Sequence, residues 1–252
     1  MAFFRSLLFT IVLVVLSAVW CVMLPFMAFF SRSTRFRTVV VWARLVLGAL
    51  KHIVGIDLAV EGRENIPDQA SIAYIKHTTA WETIADIVVF PEQTWVLKRE
   101  LMWVPLLGIG LYMLAPIAIN RSAKHSAAQQ VINQGKERLE QGVWLMIFPE
   151  GTRVAPGKTR RYGYSGAVLA TQSGRYVVPV AHNASDFWPR DDFVKRPGRI
   201  RFCIGPPIDP HGKSAKEINA DAQQWIEQKM AVISNGYPPS EVTTLDVQVN
   251  DR

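Results

Sequence analysis

A histidine and an acid stand close together in this sequence and could carry out acid–base chemistry. His77 follows an apolar run, and Glu82 comes five residues later. On one continuous helix this spacing would turn the two side chains roughly 140° apart, so they can meet only across a bend. Thr78 or Thr79 can cap a helix that begins near Ala80 and so supply that bend. A histidine held by a carboxylate is typical of a general base, although a surface histidine beside a helix-capping acid would show the same spacing.

A second block of residues supports the catalytic interpretation. Residues 148–153 read Phe-Pro-Glu-Gly-Thr-Arg and follow an apolar run, so this block also stands at the end of a predicted strand. Together the two blocks resemble the glycerolipid acyltransferase family, which has His-x4-Asp and, further on, Phe-Pro-Glu-Gly-Thr-Arg. The second block matches at every position. In the first block Glu82 replaces the usual aspartate with a side chain one methylene longer, which can still accept a hydrogen bond from the imidazole.

The resemblance implies an acyl transfer in which His77 is the general base. His77 would remove the proton of an acceptor hydroxyl as that hydroxyl attacks a thioester carbonyl, while Glu82 orients the imidazole. Direct attack is the simplest route, because Gly-Tyr-Ser-Gly at residues 163–166 lacks the spacing of a nucleophile elbow. The tetrahedral intermediate needs hydrogen-bond donors. The resemblance gives this role to Lys98, which follows a predicted strand; a solvated Lys-Arg-Glu turn is the alternative interpretation.

The resemblance also assigns residues that hold the acceptor. Arg153 and Arg121 would clamp a glycerol phosphate, since the planar guanidinium suits phosphate recognition. Arg121 ends the segment Ala-Pro-Ile-Ala-Ile-Asn-Arg, which is similar to the family's Gly-x-x-x-x-Asp-Arg block, although a surface salt bridge would also explain it. Glu150 would hydrogen-bond the glycerol hydroxyls, and Gly151 would let the backbone approach the ligand closely. Thr152 could donate to the phosphate, but capping of the turn is favoured.

The implied reaction moves an acyl group from acyl-CoA or acyl-carrier protein to the sn-2 hydroxyl of lysophosphatidic acid and forms phosphatidic acid. The predicted partners are these substrates and membrane lipids, without nucleic acid. No bound cofactor is expected, and no zinc site either, because no His-Glu-x-x-His or paired Cys/His spacing occurs. Two alternatives stay open. The acceptor could be glycerol 3-phosphate or another lysophospholipid, or the chain could be a non-catalytic membrane module that binds anionic lipid.

Composition agrees with a membrane-bound protein that handles phosphorylated substrates. The chain has 252 residues, 49% of them hydrophobic, and a formal net charge of +7. A basic balance suits nucleic acid, an anionic membrane or a phosphorylated substrate, and the apolar N-terminus favours the last two. Lys158, Arg160 and Arg161 could meet coenzyme A phosphates, an acidic carrier protein or lipid heads, or form a solvated basic loop. With only two cysteines, no disulfide framework is expected, and a reducing compartment fits.

The N-terminal segment predicts a membrane anchor. Residues 7–30 carry no charge and would form a helix of about 36 Å, enough to cross a hydrocarbon core of about 30 Å. Pro25 keeps a re-entrant or in-plane anchor open, whereas a cleaved signal peptide would have a shorter apolar core. Arg32, Arg35 and Arg37 follow at once, so the positive-inside bias predicts an inner-membrane protein with its catalytic domain in the cytoplasm. Residues 38–55 could form an amphipathic helix on the bilayer surface or a core helix.

From residue 57 onward, short apolar runs alternate with helical patterns. Strands are predicted at 58–61, 72–76, 95–97, 117–119, 144–148, 177–181 and 200–204, and helices at 81–90, 123–141, 166–173 and 214–234. This alternation predicts a single α/β domain with a mixed, largely parallel sheet flanked by helices and preceded by the N-terminal helical anchor. The expected divisions are an anchor at 1–56, the domain at 57–235 and a disordered tail at 236–252.

Overall fold

The computed structural model describes residues 1–104, 107–120 and 124–237. Its centre is a seven-stranded sheet with the order β1-β7-β6-β2-β5-β3-β4. The strands are β1 (Ile56–Glu61), β2 (Ile72–Ile75), β3 (Gln93–Lys98), β4 (Ile117–Ile119), β5 (Trp144–Ile147), β6 (Val177–His182) and β7 (Gly198–Ile204). Every predicted strand is present, which confirms the strand pattern of the sequence.

The sheet is mixed and largely parallel, as predicted. All neighbouring strands run parallel except β6 and β7, which are antiparallel. Strands β2 and β5 are buried along their whole length, which suits parallel strands covered on both faces. Because β2, β5, β3 and β4 are consecutive and parallel, their carboxyl ends share one edge of the sheet. In open parallel sheets this edge is where ligands bind.

Seven helices of the described chain surround the sheet. They are α1 (Ala2–Met23), α2 (Arg32–Ala49), α3 (Glu82–Val89), α4 (Leu107–Met113), α5 (Lys124–Glu140), α6 (Ser165–Ser173) and α7 (Ala215–Ile233). Helix α7 begins with a capping box of Ser214 and Glu217. Helix α4 was not predicted, because Gly108 and Gly110 weaken the helical pattern of this short segment.

Helix α2 is a core helix on one of its faces. It buries Phe36, Val39, Ala43 and Val46 in the same apolar cluster as the sheet strands. Helix α1 packs against another side of α2, where the ring centroids of Trp20 in α1 and Trp42 in α2 are 5.7 Å apart. The core alternative for residues 38–55 therefore holds for this face, while an opposite face stays exposed.

Helix α1 lies along the domain and docks on it near its N-terminus. Ser6 Oγ accepts a hydrogen bond from the backbone N–H of Lys195 at 2.9 Å. Phe9 is fully buried and meets the Trp188 ring edge-on at 5.4 Å. The Lys195 ammonium lies 4.8 Å from the centre of the same indole ring. These contacts fix the N-terminal half of α1 against the loop that follows β6.

The outer flank of α1 is apolar and exposed. Residues Ala2–Met27 form a helical segment long and apolar enough to cross a membrane. Its most apolar 18-residue stretch has a mean hydropathy of 2.8, and only 17% of that stretch is buried. Phe4, Ile11 and Val19 are among the exposed side chains. Exposed apolar surface of this extent marks a membrane or protein contact, which agrees with the predicted anchor.

The predicted divisions at 1–56, 57–235 and 236–252 stay predictions, but two packing facts bear on them. Helix α2 shares its core cluster with the sheet, so anchor and domain are packed together. Tyr237 is buried, so packed chain continues past residue 235. Residues 238–252 of the predicted tail lie outside the described residues.

Candidate active site

The two sequence blocks meet at the carboxyl edge of the parallel strands. His77 follows β2, and residues 148–153 follow β5, which is the neighbour of β2. Lys98 ends β3 on the other side of β5. Arg121 follows β4 in the sequence, but it lies outside the described residues. The sheet order therefore brings the predicted base and the predicted acceptor-binding turn side by side.

His77 and Glu82 form a hydrogen-bonded pair across the bend between β2 and α3. The distance from His77 Nδ1 to Glu82 Oε1 is 2.9 Å. An ionised carboxylate can only accept, so Nδ1 carries the proton and donates it, which leaves the Nε2 lone pair free. The imidazole is 16% exposed, whereas the Glu82 side chain has no exposed surface. One nitrogen is thus fixed from inside the protein while the other is available to a substrate.

Glu82 is supplied with donors by the residues of the bend. Oε1 also accepts the backbone N–H groups of Thr78 at 2.9 Å and Thr79 at 2.8 Å, and Oε2 accepts the Thr79 hydroxyl at 2.5 Å. Burial alone would raise the pKa of Glu82, but His182, His77 and Thr79 outweigh it and hold that pKa below its ordinary value. The carboxylate is therefore charged when the imidazole needs a counter-charge.

A second histidine lies behind the pair. His182 Nε2 donates to the backbone carbonyl of Lys76 at 2.8 Å and lies 3.9 Å from Glu82 Oε2, while its Nδ1 accepts from the Ala184 N–H at 3.4 Å. Burial lowers the pKa of His182, the largest influence on it. A neutral His182 fits both bonds, and it ties β6 to the end of β2 directly beneath His77.

The second block holds His77 from its other side. The Phe148 ring stacks on the imidazole with centroids 4.1 Å apart. The His77 N–H donates to Glu150 Oε2 at 3.1 Å, and the His77 carbonyl accepts from the Val154 N–H at 2.8 Å. Ring and backbone of His77 are therefore both fixed by this block, which is why its residues occur together with the histidine motif.

Glu150 belongs to a buried ion-pair network. Lys76 donates to Glu150 Oε1 at 2.7 Å, to Glu227 Oε1 at 2.8 Å and to the Lys158 carbonyl at 2.9 Å. The ammonium also lies 5.6 Å from the Tyr237 ring. Burial would lower the pKa of Lys76, but the two carboxylates outweigh it and raise that pKa, so Lys76 is charged.

This network differs from the predicted contact between Glu150 and glycerol hydroxyls. The Glu150 side chain has no exposed surface, and both of its oxygens accept bonds from the protein. Its visible task is to hold the His77 backbone and to neutralise Lys76. The network also attaches α7, through Glu227, to the turn after β5.

The rest of the turn faces solvent. Gly151 has φ of +71°, a left-handed conformation that glycine adopts without strain. Thr152 and Arg153 are exposed, and the Arg153 guanidinium makes no hydrogen bond or ion pair with the described residues. Arg190 donates to the Arg153 carbonyl at 2.8 Å, so a second guanidinium lies near the turn. Arg190 is itself paired with Asp191 at 3.3 Å, so Arg153 is the guanidinium of this turn that is available to an anionic ligand.

Lys98 and the basic loop lie at the surface. The Lys98 side chain is half exposed and pairs with Glu100 at 3.1 Å, an arrangement that the solvated-turn alternative would also give. Lys158 and Arg160 are exposed, and Arg161 donates to the Tyr164 hydroxyl at 2.6 Å. The role of Lys98 at the oxyanion stays a prediction.

Several supporting residues were missed by the sequence analysis, which assigned them no chemistry. Lys76 stands directly before His77, and a charged residue at the end of a wholly buried strand is a signal that it has buried partners. His182, Glu227 and Tyr237 come from distant elements and have no local motif. Within residues 1–104, 107–120 and 124–237, no three His, Cys, Asp or Glu side chains are grouped so as to hold a metal ion.

Comparisons with known proteins connect the chain to one family. The Acyltransferase family matches residues 57–183. A 1-acyl-sn-glycerol-3-phosphate acyltransferase from Pseudomonas aeruginosa is 38% identical over 235 residues, covering 91% of this chain and 91% of that relative. A 1-acyl-sn-glycerol-3-phosphate acyltransferase alpha from Mus musculus is 25% identical over 181 residues, covering 70% of this chain and 64% of that relative.

A solved structure shares the fold. The crystal structure of the 1-acyl-sn-glycerophosphate (LPA) acyltransferase, PlsC, from Thermotoga maritima superposes with a TM-score of 0.77 at 22% sequence identity, covering 92% of this chain and 97% of that one. The family match takes in both sequence blocks, and the relative from Pseudomonas aeruginosa is similar along almost the whole chain. This chain belongs to the Acyltransferase family.

Proposed function

We propose that this protein is a 1-acyl-sn-glycerol-3-phosphate O-acyltransferase, which acylates the sn-2 hydroxyl of lysophosphatidic acid to form phosphatidic acid. The observation that carries the proposal is the His77 imidazole, fixed by buried Glu82 and next to the turn that presents Arg153. Family membership supplies the reaction class. The relatives from Pseudomonas aeruginosa and Mus musculus bear the name of this activity.

The proposed reaction uses His77 first as a base and then as an acid. Nε2 takes the proton of the acceptor hydroxyl while its oxygen forms a bond to the thioester carbonyl carbon. The tetrahedral intermediate then breaks its carbon–sulfur bond, and the leaving thiolate takes the proton from the imidazolium. The products are phosphatidic acid and a free thiol. The charge of Glu82 stabilises the imidazolium between these steps, and base catalysis of this kind contributes about 10²- to 10⁴-fold.

The acceptor phosphate is proposed to lie at Arg153. This guanidinium is exposed and has no partner among the described residues, and the next residue, Val154, donates its N–H to the His77 carbonyl. Arg121, which lies outside the described residues, is proposed as its second clamp because of its place in the sequence block. Gly151 allows the turn to approach the ligand without a side chain. Glu150 supports this site from beneath through its bonds to Lys76 and the His77 N–H.

The acyl donor is proposed to be acyl-CoA or acyl-carrier protein. Both are thioesters that carry phosphate or acidic groups, and the exposed Lys158 and Arg160 lie on the loop that follows the Arg153 turn. The reaction as written needs only the two substrates. No bound cofactor takes part in any step.

The anchor is proposed to lie in one leaflet rather than to cross the bilayer. Helix α1 touches the domain at Phe9 and packs on α2 at Trp20, so most of its length runs along the protein. Helix α4 contacts α1 and carries Tyr112, which is 76% exposed, and Trp103, just before α4, is 75% exposed. This geometry would put the active-site opening at the level where a lysolipid hydroxyl lies. The domain is proposed to face the cytoplasm at the inner membrane, and the basic residues after α1 support this orientation.

The test is a thiol-release assay with purified full-length protein in mixed micelles. Acyl-CoA is offered with lysophosphatidic acid, glycerol 3-phosphate or lysophosphatidylcholine as the acceptor. Lysophosphatidic acid is expected to give the highest kcat/KM. A preference for another acceptor would reassign the substrate, and no acceptor-dependent thiol release would leave the non-catalytic lipid-binding alternative.

The same assay tests the base. His77→Ala is expected to lower kcat by about 10²- to 10⁴-fold, because no other group near Nε2 takes its place. His211→Ala is the matched control, since His211 also pairs with an acid, Asp209 at 2.6 Å, but on the exposed surface. Near-full activity of the His77 variant would remove His77 from the mechanism.

A further inference from the structure

A groove lies between α2 and the last turn of α3, away from the active site. Its volume is about 370 Å³. Apolar side chains form its floor, among them Phe36, Val40, Val88 and Phe90. Two exposed arginines of α2, Arg37 and Arg44, stand at its rim. Glu82 is at the first turn of α3, so the groove begins roughly 8 Å of helix rise beyond the catalytic pair.

The two rim arginines carry uncompensated charge. Arg37 and Arg44 are exposed, and neither makes a hydrogen bond or ion pair with the described residues. They are seven residues apart, so they project from the same side of α2 about 10 Å from each other. The acid in the groove, Glu92, is already paired with Arg32 at 3.3 Å and accepts a hydrogen bond from the Ser33 hydroxyl. The groove therefore presents positive charge above an apolar floor.

The groove is continuous with the apolar surface of the anchor. Val41 and Leu45 of α2 are 55% and 54% exposed, and on the helical projection they lie between the rim arginines and the side that carries α1. A helix whose apolar flank adjoins arginines is suited to the boundary between lipid tails and headgroups. The groove thus opens where phospholipid headgroups would be.

We infer that this groove binds one anionic phospholipid of the membrane. Its phosphate lies between Arg37 and Arg44, where guanidinium groups donate paired hydrogen bonds to phosphate oxygens. One acyl chain covers Val40, Val88 and Phe90, because burial of its methylenes against apolar side chains is favourable. A free phosphate would leave the apolar floor unused. The site does not depend on the proposed acyl transfer, since it lies at the other end of α3 from His77.

Native mass spectrometry of the full-length protein in detergent measures this binding directly. Phosphatidylglycerol is the anionic probe and phosphatidylcholine the neutral one. The variant Arg37→Gln/Arg44→Gln is expected to weaken phosphatidylglycerol binding about 25-fold, or about 5-fold for each arginine, and to leave phosphatidylcholine unchanged. The charge-matched control is Arg63→Gln/Arg199→Gln, two exposed arginines at the β1 edge of the sheet. Equal losses in both variants would mean diffuse charge attraction and would overturn the site.

A second variant tests the floor without changing the charge. Val88→Trp fills the groove and is expected to weaken phosphatidylglycerol binding while thiol release in the micelle assay stays as in the wild type. Inorganic phosphate is expected not to displace the lipid. Displacement by phosphate, or full binding by a folded Val88→Trp protein, would contradict the acyl-chain contact and with it the proposed phospholipid site.

Discussion

Two buried acids lie one turn apart on α3, and their surroundings push their pKa values in opposite directions. Neither Glu82 nor Asp86 has exposed surface. Glu82 accepts two backbone N–H groups, a hydroxyl and the His77 ring, whereas the side-chain donors to Asp86 are the Gln93 amide and the Trp95 indole, each at the longer distance of 3.2 Å. Burial raises the pKa of Asp86 to about 8, while the pKa of Glu82 lies below its ordinary value.

The difference shows that burial alone does not decide the charge of a carboxyl group. Both acids are withdrawn from water, which favours the neutral form. Glu82 is kept ionised because His182, His77 and its hydrogen-bond donors outweigh that burial, whereas the few donors to Asp86 do not. Glu82 has those donors because the chain bends at Thr78 and Thr79 and turns two N–H groups toward it. The bend therefore helps to keep Glu82 charged, and the charged carboxylate allows His77 to act as a base. Asp86, without such a bend, is neutral at pH 7.

The largest effect is expected from removing the charge of Glu82. In Glu82→Gln the amide has nearly the same shape but gives the imidazolium no counter-charge, and its NH₂ group cannot accept from His77 Nδ1. We expect kcat to fall by about 10²- to 10⁴-fold with little change in KM. Steady-state kinetics of thiol release measure both constants.

Asp86→Asn is the matched control for that experiment. It makes the same chemical change on the same helix, one turn away, at an acid that contacts no proposed catalytic group. Its kcat is expected to equal that of the wild type. A comparable loss of kcat in both variants would mean that α3 is disturbed as a whole. The loss in Glu82→Gln could then not be attributed to the charge of Glu82.

Asp86→Asn is also expected to change how stability depends on pH. The folded pKa of Asp86, about 8, lies above the ordinary value, so the native state keeps a proton that the unfolded chain releases. Stability therefore falls as the pH rises from about 4 to about 8, by about 1.4 kcal/mol for each unit. Asparagine does not titrate and can also donate to Gln93 Oε1, which has no partner among the described residues. The variant should gain about 4 kcal/mol on the wild type between pH 5 and pH 8.

Denaturant unfolding at several pH values measures this gain. The sign is the decisive result: the advantage of Asp86→Asn must grow toward pH 8 and shrink toward pH 4. A constant difference at every pH would mean that Asp86 is ionised in the folded protein, and the contrast with Glu82 would disappear.

A smaller effect is expected from removing one donor of Glu82. In Thr79→Val the carboxylate loses the hydroxyl bond to Oε2, and the Trp81 N–H loses its acceptor. A hydrogen bond to a charged group is worth about 1.5–3 kcal/mol. The lowered pKa of Glu82 adds stability above its unfolded pKa that is lost as the pH falls, so the difference from the wild type should be largest near pH 7 and shrink in acid.

Thr78→Val controls for that change. The Thr78 hydroxyl is buried without a hydrogen-bond partner among the described residues, so its replacement by a methyl group removes no bond. We expect this variant to be at least as stable as the wild type in the same unfolding experiments. Equal destabilisation of both variants would attribute the effect to packing rather than to the Glu82 hydroxyl contact.

The strands and the His77–Glu82 pair could be predicted from the sequence, whereas the buried residues that support them could not. Strands could be found because short apolar runs of three to five residues are local patterns. His77 and Glu82 could be found because both lie within one bend. The supporting residues could not, since Lys76 meets Glu227 only after α7 has packed against the sheet. Glu150 shows the limit most clearly: its block was recognised, but its burial depends on partners from two other parts of the chain, Lys76 with His77 and Thr159.

The last variant, Glu82→Asp, separates the charge of Glu82 from its reach. Aspartate keeps the negative charge but is one methylene shorter, so Oε1 can no longer serve His77 and both N–H groups at their present distances. We expect kcat to fall by roughly tenfold, about 1.4 kcal/mol, and the pH dependence of the rate to keep its shape. Steady-state kinetics of Glu82→Asp, measured alongside Glu82→Gln, distinguish the effect of charge from that of reach. A loss as large as that of the amide would mean that position matters more than charge, and the opposite pKa shifts of Glu82 and Asp86 would then be a consequence of packing with no part in catalysis.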